Sequence, residues 1–128
     1  MIEENFIRFL SSAFPSVPVY SFFIPEDAPS PAFCIENAGY GVAVARYNNK
    51  NVSNRTIKLT VSSKNVSDIY NDLDLRKYIE NTNTVGELTV LGMKINTFSD
   101  NFVPELKIYE RTYNVSVKLT ETQTNLGD

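Results

Sequence analysis

The spacing of apolar side chains near the start of the chain predicts one amphipathic helix. Apolar residues recur at every third or fourth position over residues 2–14, and two glutamates lie in the first turn, where carboxylates suit the helix dipole. Pro15 and Pro18 then stop the helix. The apolar stripe is compatible with packing against a sheet and with a subunit contact.

Two short segments that follow have the composition of β-strands. Val19 to Ile24 and Ala32 to Asn37 are rich in aromatic and β-branched residues, and the stiff, Pro-rich stretch from Pro25 to Pro31 separates them. We expect these two strands to form a wide hairpin.

A second hairpin is predicted from the alternation of apolar and polar residues over positions 40–47 and 56–62. Between these segments lies the Asn-rich stretch 48–54, and asparagine tolerates the left-handed backbone geometry of turns. Seven residues is long for a hairpin turn, so we expect this tip to be mobile or bound to a partner.

The second helical region covers residues 65–81, with Asn65 in the position of an N-cap. Its apolar residues fall on two stripes that are rotated relative to each other. The pattern is compatible with one helix buried on a wide face and with a break near Asp72–Asp74. The spacing of Asp72, Arg76 and Glu80 predicts ion pairs along an exposed helix face.

The last third of the chain returns to strand patterns. Over residues 85–95 the apolar alternation slips at Gly92, which predicts a bulge or a tight turn there. Residues 96–104 have the composition of a polar loop. Residues 107–120 alternate most regularly and predict the clearest strand, whereas residues 121–128 show no periodicity and predict a flexible tail.

The order of these elements predicts the fold class. Strands clustered between two helices are typical of an α+β domain with a largely antiparallel mixed sheet. We therefore expect one domain over residues 1–120, with two helices packed on the sheet and the second hairpin projecting from it.

Composition excludes several kinds of active site. The chain has no histidine and a single cysteine, so it holds no Ser-His-Asp triad, no histidine-bound metal and no intrachain disulfide. Its five glycines match neither a P-loop nor a dinucleotide fingerprint. Cys34 lies inside a predicted strand and is interpreted as a small core residue. We expect a protein that is not an enzyme and has no cofactor or metal.

The sequence shows neither a membrane span nor a signal peptide, and this absence indicates the compartment in which the protein is made. No run of apolar residues reaches the length of a membrane span, and the start of the chain carries acids where a signal peptide would carry bases. We expect synthesis in a cytoplasm and no membrane partner.

Charge is unevenly distributed along the chain. Residues 37–67 carry five bases and no acid, whereas the rest of the chain carries seven bases and fifteen acids. The second hairpin is therefore predicted to be a basic projection on an acidic body. It would dock on an acidic surface, a partner protein or nucleic acid, unless its lysines only protect a sheet edge from aggregation. Its basic residues are Arg46, Lys50, Arg55, Lys58 and Lys64.

The uneven charge also favours self-association. If the acidic face of one copy receives the hairpin of the next, such head-to-tail contacts can close into rings. Sequence-specific DNA recognition is disfavoured, because the net charge is −3 and no recognition-helix motif is present.

One set of residues predicts an alternative, enzymatic function. Asp100 followed by Glu105, Leu106 and Lys107 resembles the core of metal-dependent nucleases. In such sites carboxylates hold Mg²⁺ and the lysine helps to activate water. The competing interpretation is a loop that enters a strand with a surface ion pair.

The order of features along residues 1–120 resembles that of a tail terminator, or tail-completion, protein of long-tailed bacteriophages. The resemblance rests on a short N-terminal helix ending at Phe14-Pro15, a Pro-rich step from Ala28 to Phe33, the long hairpin, a central helix containing Ile69 to Leu73, and a final strand from Tyr109 to Leu119.

This resemblance implies an α+β subunit of a hexameric ring that is located in the virion, at the interface of tail and head. The ring would cap the tail tube, end its polymerisation and offer a surface to the head–tail connector protein. The basic hairpin would then reach the next subunit, the tube protein, or DNA in the lumen without sequence preference.

Two other kinds of protein stay open beside the nuclease. Head–tail connector and head-completion proteins share small α+β layouts and belong to the same biology. A module that binds carbohydrate or protein is the remaining alternative, and ligand-dependent stabilisation of a monomer would distinguish it.

Overall fold

The computed structural model describes residues 2–47, 50–82, 84–85 and 88–122. These residues form three helices, α1 (Ile2–Ala13), α2 (Val66–Tyr70) and α3 (Leu73–Glu80). They also form six strands: β1 (Val19–Ser21), β2 (Ala32–Tyr47), β3 (Lys50–Ser63), β4 (Thr84–Val85), β5 (Leu88–Val103) and β6 (Ile108–Thr122).

The strands form one mixed sheet in the order β1-β2-β3-β6-β5-β4. Every neighbouring pair is antiparallel except β1 and β2. This architecture confirms the predicted α+β class with a largely antiparallel mixed sheet and helices packed on it.

The core lies between the helices and one face of the sheet. Across this face Leu59 of β3 pairs with Ile35 of β2 and with Tyr113 of β6, and all three side chains are buried. From the helical side, Phe6 and Leu10 of α1 and apolar residues of α2 and α3 join the same cluster. The alternation of strand side chains sends their neighbours to the opposite face, which is largely polar.

The prediction of a hairpin at β1 and β2 is wrong, because these two strands are parallel. Val19 pairs with Phe33 and Ser21 with Ile35. The strand also ends at Ser21 instead of Ile24, and residues 22–31 carry the chain back so that β2 starts beside the start of β1. The proline-rich sequence suits this open connection, since prolines do not donate to a sheet ladder.

The second hairpin is longer than its sequence pattern predicts. β2 runs to Tyr47 and β3 starts at Lys50, so positions 50–54 of the expected tip are strand residues, while residues 48–49 lie outside the described part. β3 also pairs along its whole length with β6, from Lys50 opposite Thr122 to Ser63 opposite Tyr109. The hairpin therefore continues the sheet and is supported on one side by β6.

The second helical region is broken, which resolves the alternative that the sequence left open. α2 ends at Tyr70 and α3 begins at Leu73. Asn65 caps α2 as predicted, because its side chain accepts a hydrogen bond from the backbone N–H of Ser67 at 3.2 Å. Asp72 is the N-cap residue of α3 but makes no side-chain capping bond there; its carboxylate is used elsewhere.

The predicted polar loop at 96–104 is wrong, because residues 96–103 continue β5. The predicted irregularity at Gly92 is confirmed as a register shift between Val90 and Gly92, and a second shift lies between Ile95 and Thr97. β6 extends to Thr122, and the rest of the expected tail, residues 123–128, lies outside the described part.

Gly92 is a test of whether the bulge needs glycine. A Cβ built on Gly92 meets no atom within 4 Å. We expect Gly92→Ala to leave the free energy of unfolding unchanged or to raise it by up to about 1 kcal/mol, since alanine reduces the entropy of the unfolded chain. Urea denaturation measures this, and a loss of more than about 1 kcal/mol would contradict the free space seen here.

Candidate interaction surfaces

Among the described side chains of the predicted basic hairpin, Arg55 and Lys58 lie on opposite sides of the sheet. Arg55 faces Val117 of β6 on the helix-covered side of the sheet and is half-buried, whereas Lys58 faces Asn114 on the opposite side and is exposed. Lys64 follows the end of β3, where its backbone N–H donates to Ser30 Oγ at 2.8 Å. The side chains of Arg46 and Lys50 lie outside the described part. Grouping these residues by charge alone hid this division, because residues separated by an odd number of positions along a strand lie on opposite faces.

The side of the sheet away from the helices, which we call the polar face, carries hydroxyls, amides and lysines. Thr60 and Thr112 share a hydrogen bond of 3.0 Å across β3 and β6, and Asn114 donates to Thr97 at 2.9 Å. Three exposed lysines extend from three neighbouring strands on this face, namely Lys58, Lys94 and Lys118. The sequence analysis missed the last two, although their parity relative to Val115 and Ile95 places them there.

Asp100, which the nuclease hypothesis requires as a metal ligand, is bound by an arginine side chain instead. Asp100 accepts two hydrogen bonds from Arg111, from Nε at 2.6 Å and from Nη2 at 2.9 Å. Glu105 lies in the turn between β5 and β6 and does not join Asp100 in a cluster, and the described residues contain no group of three metal-ligating side chains. The geometry therefore lends the nuclease hypothesis no support.

A network of charged side chains centred on Arg111, which we call the Arg111 network, joins the helices to the sheet. Besides Asp100, the guanidinium donates from Nη1 to Asp72 Oδ2 at 3.1 Å and to the Ile69 carbonyl at 3.5 Å. Asp72 also accepts from the Tyr113 hydroxyl at 2.5 Å and from Arg76 Nε at 2.9 Å.

The predicted exposed ion pair of Asp72 with Arg76 is present, but Asp72 itself is buried, with 6% of its surface exposed. The correction has a physical cause. The break between α2 and α3 turns Asp72 toward β6, where Arg111 and Tyr113 replace its lost hydration.

The network sets the protonation of its members. Burial by itself would raise the pKa of Asp72, but hydrogen bonds from Tyr113, Arg76 and Arg111 outweigh it and lower that pKa below its usual value. The hydrogen bonds from Arg111 likewise lower the pKa of Asp100. Burial, then the hydrogen bond to Asp72, raises the pKa of Tyr113, so the phenol stays protonated as a donor.

Aromatic rings cover Arg111 from the solvent side. Its guanidinium carbon lies 4.3 Å from the centre of the Phe98 ring and 5.6 Å from that of Tyr70. Such contacts favour a cation over an aromatic face. Both rings remain more than half exposed, so the Arg111 network is covered by aromatic side chains that are themselves in contact with solvent.

A groove beside these rings, which we call the aromatic groove, lies between α2, the end of β5 and the start of β6. Its volume is about 240 Å³, and its apolar walls are Val66, Ile69, Tyr70, Phe102 and Tyr109. The ring centres of Phe102 and Tyr109 are 4.9 Å apart. Asp100 and Glu110 give it an acidic rim. Sequence reasoning missed it, because its walls come from three separate segments.

Two phenylalanines that follow β1, an edge strand of the sheet, are the most exposed large apolar residues described. Phe22 and Phe23 expose 79% and 70% of their surfaces. Phe22 has a φ angle of 72°, a left-handed conformation that is rare for a bulky residue. The sequence did not predict this exposed turn, since two aromatic residues directly after a strand pattern are typical of a continued strand.

Cys34 is buried within β2, as the sequence predicted. Burial, followed by the nearby charges of Glu36 and Glu110, raises the pKa of its thiol to about 11. The thiol is therefore protonated at neutral pH, which fits a packing role and not a nucleophile.

Comparison with known proteins provides a likeness of fold. No protein-family model matches the chain, and no curated protein matches it in sequence. Its fold is similar to that of a chain in the virion of a native gene transfer agent particle, with a TM-score of 0.59 and 8% sequence identity. The likeness covers 88% of this chain and 84% of that chain. Among the described residues, no helix is long and apolar enough to cross a membrane.

Removing Arg111 should destabilise the protein far more than removing Arg76. Arg111→Ala removes a buried guanidinium that serves Asp72, Asp100 and the Ile69 carbonyl, and leaves the buried carboxylate of Asp72 with Arg76, which is partly exposed. Breaking a buried ion pair in this way costs about 3–5 kcal/mol. Arg76 is 45% exposed, so Arg76→Ala should cost about 1 kcal/mol or less. Urea unfolding of both variants measures the difference, and equal losses would show that Arg111 is not the centre of the network.

The lowered pKa values of Asp72 and Asp100 predict an acid-sensitive stability. Both carboxyls bind protons more weakly in the folded chain than in the unfolded chain, where the usual value is about 3.9. Their contribution is therefore complete above about pH 5 and is lost as the pH falls through about 4 and below. Urea unfolding at pH 7, 5, 4 and 3 measures it. We expect Asp100→Asn to flatten the fall, and an unchanged slope would contradict this assignment.

Proposed function

We propose that the protein is a structural component of a virion that caps a tail tube, ends its polymerisation and presents a surface for joining tail to head. The observation that carries the proposal is the similarity of fold to a virion chain over 88% of this protein. The resemblance of the element order to phage tail terminators supports the same conclusion and supplies the capping role.

Unpaired sheet edges support assembly through subunit contacts. Among the described residues, Val90–Val103 of β5 pair only with β6, and β2 beyond Ile35 pairs only with β3. Long open edges are a liability for a free monomer and are usually covered by a partner. The proposed partner is another copy of the chain, in a ring of six.

Within the proposed virion, the ring would contact the tube protein on one side and the head–tail connector protein on the other. Two lysines of the polar face outside the basic hairpin, Lys94 and Lys118, would meet DNA phosphates in the lumen without reading sequence, because exposed lysines supply charge and no base-specific geometry. The protein would be made in the host cytoplasm and then located at the interface of tail and head.

A head–tail connector or head-completion protein is the second candidate. The same similarity of fold to a virion chain supports this candidate. It differs from a tail terminator in the structure to which the ring would bind. Binding of the purified protein to polymerised tube protein or to connector rings, compared side by side, distinguishes the two.

Solution mass tests the proposal directly. We expect a species near six times the 14.4 kDa chain mass by light scattering, and rings in electron micrographs. Assembly should weaken as salt rises if the basic hairpin holds subunits together. A protein that stays monomeric at every concentration, and forms no ring on polymerised tube protein, would contradict the proposal.

Charge reversal tests the proposed role of the basic hairpin within the same experiment. Arg46→Glu, Lys50→Glu and Lys58→Glu in one variant should reduce the ring fraction at least tenfold, because like charges would face the acidic partner surface. We omit Arg55, since it is half-buried on the helix-covered side.

The matched control changes the net charge equally at three exposed bases outside the hairpin, Arg8, Lys77 and Lys107. This control should keep the wild-type ring fraction. Rings formed equally by both variants would assign assembly to other surfaces and leave the capping proposal intact.

A further inference from the structure

The polar face of the sheet contains an open cleft of about 640 Å³, which we call the lysine cleft. It is built on three neighbouring strands, β3, β6 and β5. Its polar lining consists of Asn54, Lys94, Asn96, Ser116 and Lys118, and a glycine and two apolar residues complete it. Among the described residues that line the cleft, none is acidic and none is aromatic. The cleft therefore offers positive charge and hydrogen-bond donors, and no ring on which a nucleobase could stack.

The two lysines of the cleft lie close together and carry charge that is not neutralised. Both are exposed, and neither forms an ion pair with an acid of the described residues. Lys94 pairs with Ser116, two residues from Lys118, so the two lysines are diagonal neighbours on β5 and β6. Diagonal neighbours lie about 7–8 Å apart. An anion between them would be attracted by both and would relieve their mutual repulsion.

Protection of a sheet edge does not account for this pair of lysines. Lysines on edge strands discourage the pairing of edges that leads to aggregation. Lys118, however, lies on β6, which pairs with β3 on one side and with β5 on the other. The charge of Lys118 therefore acts on the face of the sheet and not on an edge.

Gly92 keeps the centre of the cleft open. It lies directly opposite Lys118 and two residues before Lys94, so the two lysines flank it. A Cβ built on Gly92 meets no atom within 4 Å, and the residue does not adopt a left-handed φ. Neither packing nor backbone conformation therefore requires glycine there, although glycine weakens a strand relative to alanine. Glycine within a strand often marks a place where a ligand approaches the backbone closely.

These features fit the phosphate backbone of double-stranded DNA. Phosphate oxygens bind lysine ammonium groups and accept hydrogen bonds from amides and hydroxyls, which Asn54, Asn96 and Ser116 supply. Single-stranded nucleic acid is usually held by stacking its bases on aromatic side chains, and the described lining offers none. An acidic protein partner would normally bring an apolar core into the contact, whereas amide, hydroxyl and ammonium groups dominate here.

We propose that the lysine cleft binds the phosphate backbone of double-stranded DNA, with a phosphate group held between Lys94 and Lys118 above Gly92. The inference rests on the proposed function, which supplies duplex DNA inside the ring. It adds the site that holds the DNA and the form of nucleic acid that the site accepts. Binding is independent of base sequence, because contacts to the backbone carry no sequence information.

Salt-dependent binding to a labelled duplex of random sequence tests the charge of the cleft. Lys94→Gln combined with Lys118→Gln should weaken binding roughly tenfold or more at about 50 mM salt. It should also lower the slope of log affinity against log salt by about 2, since each lost phosphate contact contributes about 0.9. Fluorescence anisotropy measures both quantities.

The matched control for the lysine variant is Lys77→Gln combined with Lys107→Gln. It changes the net charge equally at two exposed lysines outside the cleft and should leave the affinity and the salt slope unchanged. Equal losses in the two double variants would overturn the inference, because the lysines would then act only through the net charge of the protein.

Gly92→Val tests the shape of the cleft without changing its charge. Valine suits a strand and would occupy the space between the two lysines, so the affinity for the duplex should fall roughly fivefold or more. An unchanged affinity would overturn the placement of a phosphate at Gly92. If thermal unfolding of this variant is altered, Gly92→Ala replaces it, because its Cβ has free space, and a smaller loss of affinity is expected.

The form of the nucleic acid is tested with a single strand of the same length and base composition, which should bind more weakly than the duplex. Tighter binding of the single strand would overturn the assignment to double-stranded DNA.

The outcomes also separate this inference from the proposed function. A protein that forms rings on the tail tube and does not bind the duplex at about 50 mM salt would overturn the inference and leave the capping function standing. Duplex binding through Lys94 and Lys118 by a protein that forms no ring on polymerised tube protein would support the cleft and contradict the capping function.

Discussion

The bidentate hydrogen bond of Arg111 with Asp100, continued to Asp72, is the interaction on which the placement of α2 and α3 over the sheet depends. Arg111 occupies a position on the core side of β6 where the alternation calls for an apolar residue. A buried guanidinium is tolerated only if its donors are satisfied. Asp100, Asp72 and the Ile69 carbonyl satisfy them, and in doing so they join β5, β6 and the junction of α2 and α3.

This requirement explains why the second helical region is broken. A continuous helix would carry Asp72 on a regular face, whereas the break lets its carboxylate reach Tyr113 and Arg111. The break also places Tyr70 over Arg111 and beside the aromatic groove. The same charged network therefore shapes the aromatic groove, because Tyr70 belongs to both.

Apolar and polar side chains are separated on the surface of the protein. Helices cover one face of the sheet, and the polar face carries hydroxyls, amides and lysines. Exposed aromatic residues are concentrated at Phe22 and Phe23 and around Arg111. The charge of Lys58 contributes to the polar face, while Arg55 belongs to the other side of the same strand.

The sequence by itself determined the α+β class, the first helix, the cap at Asn65, the irregularity at Gly92 and the final strand, because these follow from local periodicity and from the residue types that turns and caps require. Tertiary structure alone decided the parallel pairing of β1 with β2, the continuation of β5 through residues 96–103 and the burial of Asp72. It also decided which side of the sheet each basic residue occupies and that Asp100 serves Arg111 and not a metal. These outcomes depend on partners 11 to 41 residues away along the chain, and local propensity carries no information about which distant residue will satisfy a buried charge or cover a strand edge.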